Sequence, residues 1–242
     1  MKMTLVVFVV LFTFSNLSAQ TLKDKLNQAK KTLVKTPSNE EIVQGLKEAL
    51  NVGANKSSST ASQVDGYLKN ARLFIPFPPE AQKMKTQLVK LGFQKQVTEF
   101  EMSLNRAAEE AAKKSTPVFM DAIKNMTVTD GMNVLLGTDT AATFYLKNAT
   151  STSLYTQYKP VVQEAIKKVD VTHYWSALVT QYNKIPGIKK QNPDLEDYVI
   201  KRGISGLFLL VADEEKKIRT DPMARFSSTL KSVFGYADVQ KK

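Results

Sequence analysis

The most strongly apolar segment near the C-terminal end of the chain is Ile204-Ser-Gly-Leu-Phe-Leu-Leu-Val-Ala212. It is almost entirely apolar over more than two helical turns, so a helix formed there presents apolar side chains in every direction. Such a helix is stable in water when other helices surround it. We therefore expect a long helix, beginning near Asn192 or Pro193, at the centre of the protein.

The rest of the chain repeats the helical spacing of apolar residues, and no stretch alternates long enough to predict a strand. We predict an all-α fold, a multi-helix globular bundle around the central apolar helix, with no significant sheet. The polar stretch 55–62 predicts the end of one helix. Arg72-Leu-Phe-Ile-Pro-Phe-Pro-Pro79 cannot be helical because its prolines remove donors. We predict that residues 63–79 form an extended segment packed over the helices, hereafter the strap. The alternative is a peptide-like docking segment.

The first nineteen residues predict a cleavable signal peptide, residues 1–19. Lys2 precedes an apolar run from Thr4 to Phe14, and small and polar residues follow up to Ala19. About eleven apolar residues are too few to cross a bilayer as a helix. We expect cleavage after Ala19, no transmembrane span in the mature chain, and export to the bacterial periplasm or cell envelope.

Residues 20–36 predict a basic amphipathic helix, followed by a single all-α domain over residues 37–242. Leu22, Leu26, Ala29 and Leu33 form a narrow apolar seam among lysines. This helix either docks on its own domain or lies on an anionic membrane.

The chain has no cysteine and one histidine. Disulfides, cysteine nucleophiles and an acylated cysteine anchor are excluded, and structural zinc is disfavoured. We expect no cofactor and no metal site. The single histidine, His173, lies in an aromatic stretch, which favours a structural or surface role over catalysis.

The formal net charge is +11, and 29 of the 34 basic residues are lysines. The five arginines are scattered, so we predict no nucleic-acid binding. The lysines often come in pairs along the chain. They indicate either ordinary solvated helix surfaces or attraction to an anionic envelope component such as a lipid, a glycan or a lipoprotein.

Three polar residues, Glu101, Asn105 and Glu109, follow one another four residues apart along the edge of an apolar helix face. Half-buried carboxylates there can bind a hard cation or act as acid and base. The alternative is ion pairing with Arg106 or with an arginine of another helix.

Arg202 shares a helix face with Leu195, Gly206 and Leu209. We therefore expect it to be partly buried and to need a carboxylate partner. The candidate partners are Asp139, Asp213, Glu214 and Glu101.

The loop Gly137-Thr-Asp-Thr-Ala-Ala-Thr143 offers the carboxylate of Asp139 and the hydroxyls of Thr140 and Thr143 beside a helix N-terminus. Free N-terminal amides are a good site for a small polar or anionic group. The same residues also make a well-capped helix start.

Several short motifs occur together along the chain. They are Asn105-Arg-Ala-Ala-Glu109, Asp121-Ala-Ile-Lys-Asn-Met126, Asp139-Thr-Ala-Ala-Thr143, Trp175 with Tyr182-Asn-Lys-Ile-Pro186, Asn192-Pro-Asp-Leu195, Gly206-Leu-Phe208, Glu214-Glu215 through Ile218-Arg219, Asp221-Pro222 and Ala224-Arg225. Together these motifs resemble the domain of unknown function 4197 family over about residues 38–235. The resemblance implies an exported helical domain from a Bacteroidetes-type bacterium, and it implies no activity.

These observations favour a non-catalytic binding or structural module of the periplasm or envelope. The alternative is a carboxylate- or metal-dependent hydrolase built from Glu101, Glu109, Asp139 and Glu214. A third possibility is a structural homo-oligomer. An enzyme requires those carboxylates to converge in a cleft, whereas a binding module shows them as closed ion pairs.

Overall fold

The computed structural model describes residues 36–168, 171–188 and 194–240. Within these ranges the chain forms nine α-helices and two 3-10 helices and no strand, which confirms the all-α prediction. The predicted signal peptide, residues 20–35 of the predicted basic helix and the side chain of His173 lie outside the described part. None of the described helices is both long and apolar enough to cross a membrane.

The helices are mostly joined by a few residues, whereas longer connections precede those that begin at Gln82 and Leu195. They are α1 (Asn39–Ser62), α2 (Gln82–Lys90), α3 (Gln94–Ala112), α4 (Ser115–Lys124), α5 (Val128–Leu136), α6 (Ala141–Lys168), α7 (Val171–Asn183), α8 (Leu195–Thr220) and α9 (Ser228–Gln240), with 3-10 turns at Pro79–Ala81 and Pro222–Ala224.

Helix α8 is the centre of the fold. It packs against α1, α3 and α6, and its residues Ile200, Leu207 and Val211 are buried. Ser205 is exposed, so one edge of the apolar stretch 204–212 reaches the surface. The helix begins after Asp194, whose side chain accepts a hydrogen bond from the amide of Asp197 and caps the first turn.

Helix α1 continues through the polar stretch 55–62, where the sequence predicted its end. Ser57 and Ser58 are buried, and the Ser58 hydroxyl accepts a hydrogen bond of 2.7 Å from Ser115 at the start of α4. A polar run is therefore kept helical because its small side chains fit a close contact between two helices.

The connection from α1 to α2, residues 63–79, is the predicted strap. Its first part, residues 64–73, consists mainly of turns, and only residues 74–78 run without them, so the extended conformation is shorter than predicted. Leu73, Ile75 and Phe77 are buried. The Phe77 ring meets that of Phe100 edge-on at 5.1 Å. The prediction that the strap packs over the helices is confirmed.

Candidate functional site

Glu109 of α3 holds the first turn of the strap. Its Oε1 accepts hydrogen bonds of 3.1 Å from the backbone amides of both Tyr67 and Leu68. Its Oε2 accepts one of 2.6 Å from Nη1 of Arg106. Glu109 is buried, so these three bonds replace the water that its carboxylate loses.

Asn105 and Glu101 lie on the same edge of α3 as Glu109 and contact the later part of the strap. The Asn105 side chain accepts from the amide of Ile75 at 2.8 Å and donates to its carbonyl at 2.9 Å. Glu101 accepts from the amide of Phe77 at 2.8 Å and from Nζ of Lys85 at 2.6 Å. The three residues predicted to share a helix edge do so, and that edge binds the backbone of the strap.

Arg106 of α3 forms ion pairs with both Glu109 and Asp65. The ion pair with Glu109 that the spacing allows is present, and Nη2 of Arg106 donates to Asp65 at 2.8 Å. Hydrogen bonds from Lys69 and Arg106 lower the pKa of Asp65. Asp65 adopts a left-handed backbone conformation with φ of 69°, so the turn that places its carboxylate is itself unusual for a non-glycine residue.

The amides at the start of α6, where we expected a small anionic ligand, bind a carboxylate of the protein itself. Glu215 of α8 accepts from the amides of Ala142 at 2.8 Å and Thr143 at 2.7 Å, and from the Thr143 hydroxyl at 2.8 Å. Thr140 is exposed and Thr143 is buried. This arrangement favours the capped-helix interpretation of the 137–143 loop, because a carboxylate complements the positive end of a helix.

Arg219 completes a buried ion pair one turn further along α8. Its Nε donates to Glu215 at 2.8 Å, and its other nitrogens donate to the carbonyls of Leu135 at 3.1 Å and Val134 at 2.7 Å. The pair thus links the C-terminal carbonyls of α5 to the N-terminal amides of α6. Sequence reasoning selected the neighbouring Glu214 instead, although the spacing of Glu215 and Arg219 on an apolar helix was the available signal.

Arg225 is a second buried arginine that sequence reasoning did not place in a site. Its guanidinium donates to the carbonyls of Ile218 at 2.9 Å and Arg219 at 2.8 Å, and so caps the end of α8. It also forms a bidentate ion pair with Asp238 of α9, at 2.7 and 3.2 Å. These contacts join α8 to α9 and leave no role for Arg225 at the surface.

Arg202 does not have the environment we predicted. It is exposed rather than partly buried, because its position on α8 faces the rim of the strap, and its guanidinium donates to the Phe74 carbonyl at 3.4 Å. Of its candidate partners, Asp213 pairs with Arg72 at 2.6 Å and Glu214 with Lys56 at 2.5 Å.

The four carboxylates of the hydrolase alternative contact different groups. Glu101 binds Lys85, Glu109 binds Arg106, and Glu214 binds Lys56, while Asp139 is exposed in the loop before α6. Among the residues that the structure describes, no group of three or more histidine, cysteine, aspartate or glutamate side chains is placed to hold a metal ion.

The surface of α6 between α4 and α5 carries an open groove. One depression, of about 630 Å³, is lined by Asp130, Asn133, Phe144 and Asn148 among others. A second, of about 500 Å³, is lined by Asp121, Asn125 and Gln157 among others. Both include Tyr145 and Ala149, so they adjoin along α6. The two adjoining depressions together are hereafter called the α6 groove. Burial and the nearby charge of Asp130 raise the pKa of Tyr145.

The family described as "Protein of unknown function (DUF4197)" matches residues 36–235. The chain belongs to the DUF4197 family. No curated protein and no solved structure matches it.

The DUF4197-like motifs recognised in the sequence fall on two kinds of structure in this chain. Asn105 to Glu109 and Glu214 to Arg219 contain the buried contacts that hold the strap and join α5 to α6. Asp121 and Asn125, from a third motif, line the α6 groove. Thr140 and Ala141, from the Asp139 to Thr143 motif, line the groove as well. The motifs therefore report mainly how this DUF4197 chain fixes its helices, and two of them also reach the α6 groove.

Proposed function

We propose that this DUF4197 protein is an exported, non-catalytic binding module of the bacterial envelope, and that its ligand occupies the α6 groove. The observation that carries the proposal is the contrast between the two parts of the molecule. The buried carboxylates are closed into internal contacts, whereas the α6 groove is open and lined by polar and aromatic side chains.

The internal contacts argue for binding rather than catalysis. Glu109 and Glu215 each accept three or more hydrogen bonds from the chain. A carboxylate engaged in this way has few lone pairs left to accept a hydrogen bond from a substrate. If Glu109 left these contacts to act as a base, the strap would lose its hydrogen bonds, and if Glu215 did so, the start of α6 would lose its own.

Export and envelope location follow from the predicted signal peptide. The expectation of an anionic envelope component, whether lipid, glycan or lipoprotein, applies to exposed lysines such as Lys216 and Lys217. It does not apply to the α6 groove, because the charged residues that line its two depressions are two carboxylates, Asp121 and Asp130, and one cation, Lys114. We therefore assign long-range attraction to the lysine-bearing surface and ligand binding to the groove.

The test is native mass spectrometry of the protein purified from its own periplasm. We expect a chain that begins at Gln20 and carries a bound molecule. Ala149→Trp places a large ring where the two depressions meet and removes that molecule, whereas Ala71→Trp, at another exposed alanine, retains it. The same spectrum reports the oligomeric state.

A chain without any bound molecule, or one that keeps it in Ala149→Trp, contradicts the proposed binding function. A protein that is found only in the cytoplasmic fraction contradicts export, and a periplasmic chain that retains residues 1–19 contradicts the predicted cleavage after Ala19.

A further inference from the structure

The α6 groove is long. Because its two depressions share Tyr145 and Ala149, it runs beside α6 from Thr140 to Gln157. At 1.5 Å per helical residue this is about 25 Å. That length suits a chain of several units better than a single small metabolite.

The polar groups in the groove are mostly uncharged. Asn133 and Asn148 line one end, and Asn125, Ser153 and Gln157 line the other. A side-chain amide both donates and accepts hydrogen bonds, as does a hydroxyl. A ligand rich in hydroxyl groups can therefore pair with these side chains in either direction.

An aromatic ring is presented at the same place. Phe144 is 64% exposed in the depression that also contains Asn133 and Asn148, and the neighbouring Tyr145 is half-buried. The face of an aromatic ring carries partial negative charge and attracts C–H groups with partial positive charge. One face of a sugar ring presents such C–H groups, while its hydroxyls point outward toward the groove walls.

The charges in the groove select against other ligands. Asp121 and Asp130 repel an anionic polymer, and Lys114 is the only cation lining the two described depressions. The exposed amides of Asn133 and Asn148 find no hydrogen-bond partner on a lipid tail, whereas a ligand rich in hydroxyl groups pairs with them.

We propose that the α6 groove binds an uncharged oligosaccharide, with Phe144 stacked on a sugar ring and Asn133 and Asn148 hydrogen-bonded to its hydroxyls. This inference rests on the proposed function, which places the ligand in the groove, and it adds the chemical class of that ligand.

Isothermal titration of the mature chain tests the inference. The neutral probes are chitohexaose, cellohexaose and maltohexaose, and the anionic probe is a hyaluronan hexasaccharide. We expect saturable binding of at least one neutral probe and weaker binding of hyaluronan. Phe144→Ala should raise the Kd of the neutral probe about tenfold or more, whereas Phe226→Ala should leave that Kd within about twofold of the wild-type value. Phe226 is the matched control because it is similarly exposed, at 59%, and does not line the groove.

Three results overturn the inference: no binding of any neutral probe up to about 10 mM, tighter binding of hyaluronan than of the neutral probes, or equal losses in Phe144→Ala and Phe226→Ala. The two proposals fail separately. A peptide or lipid that copurifies with the wild type and is lost in Ala149→Trp overturns the sugar ligand and leaves the binding function standing. Sugar binding that survives in Ala149→Trp overturns the placement of the ligand in the groove.

Discussion

Asn105 binds both backbone polar groups of Ile75. Its amide oxygen lies 2.8 Å from the Ile75 nitrogen, and its amide nitrogen lies 2.9 Å from the Ile75 oxygen. Both residues are fully buried, so one side chain takes the place that a neighbouring β-strand has in a sheet. The strap thereby crosses the helical core without leaving the backbone of Ile75 unpaired.

Asn105→Ala removes this pairing and leaves a buried N–H and a buried C=O without partners. We expect a loss of about 2–6 kcal/mol in the free energy of unfolding, since each of the two orphaned groups costs roughly 1–3 kcal/mol. Urea unfolding followed by circular dichroism measures it. Asn148→Ala, at an exposed asparagine of α6, is the control and should change stability by less than about 0.5 kcal/mol. Equal effects in the two variants contradict the proposed role of Asn105.

Glu215→Ala leaves Arg219 buried without its carboxylate and the first amides of α6 without an acceptor. We expect a loss of about 3–5 kcal/mol, the usual cost of breaking a buried ion pair from one side. Glu214→Ala removes the adjacent carboxylate, whose partner Lys56 is half exposed, and should cost about 1 kcal/mol or less. Thermal or urea unfolding distinguishes the two, and a larger effect at Glu214 disproves the assignment.

Two glycines of α8 should respond to alanine in opposite directions. A Cβ on Gly206 lies 2.9 Å from Cε1 of the buried Tyr67, whereas one on Gly203 lies 3.8 Å from its nearest neighbour. Gly203→Ala should stabilise the protein by about 0.5–1 kcal/mol through helix propensity. Gly206→Ala should destabilise it by about 1–3 kcal/mol because the core is overpacked. The melting temperatures give the order directly, and a stabilising Gly206→Ala shows that Tyr67 can move.

We predict that the Asp65 carboxylate makes part of the free energy of unfolding depend on pH. Lys69 and Arg106 lower its pKa in the folded protein, so folding favours the ionised form. Its contribution is complete above the ordinary carboxyl pKa of 3.8 and is lost as the pH falls through the lowered value. We expect Asp65→Asn, which tolerates the same left-handed backbone, to be less stable than the wild type at neutral pH. Urea midpoints measured from about pH 7 to pH 2 should show the difference shrinking at acid pH. A difference that does not change with pH means that the Asp65 charge is not responsible.

Some contacts were predictable because they depend on local spacing. Glu101, Asn105 and Glu109 share a helix edge whatever that edge meets, and Arg106 is close enough along α3 to reach Glu109. The i,i+4 spacing could indicate that Glu215 pairs with Arg219, but it could not predict that the same carboxylate binds the start of α6. Adjacent helical residues point about 100° apart, and only the position of α6 relative to α8 decides whether Glu214 or Glu215 faces the amides of Ala142 and Thr143.

The helical class of the protein, the central place of α8 and the burial of the strap could all be predicted from the amino-acid sequence. They follow from periodicity, from prolines that exclude a helix, and from apolar residues that avoid water. The partners of the buried polar groups depend instead on how the helices pack, as with Glu215 and Ala142, which lie 73 residues apart in the chain. The same packing leaves the surface of α6 between α4 and α5 open as a groove. Hydrophobic burial is non-directional and survives small errors in helix placement, whereas a hydrogen bond requires its two atoms to be placed within a few tenths of an ångström.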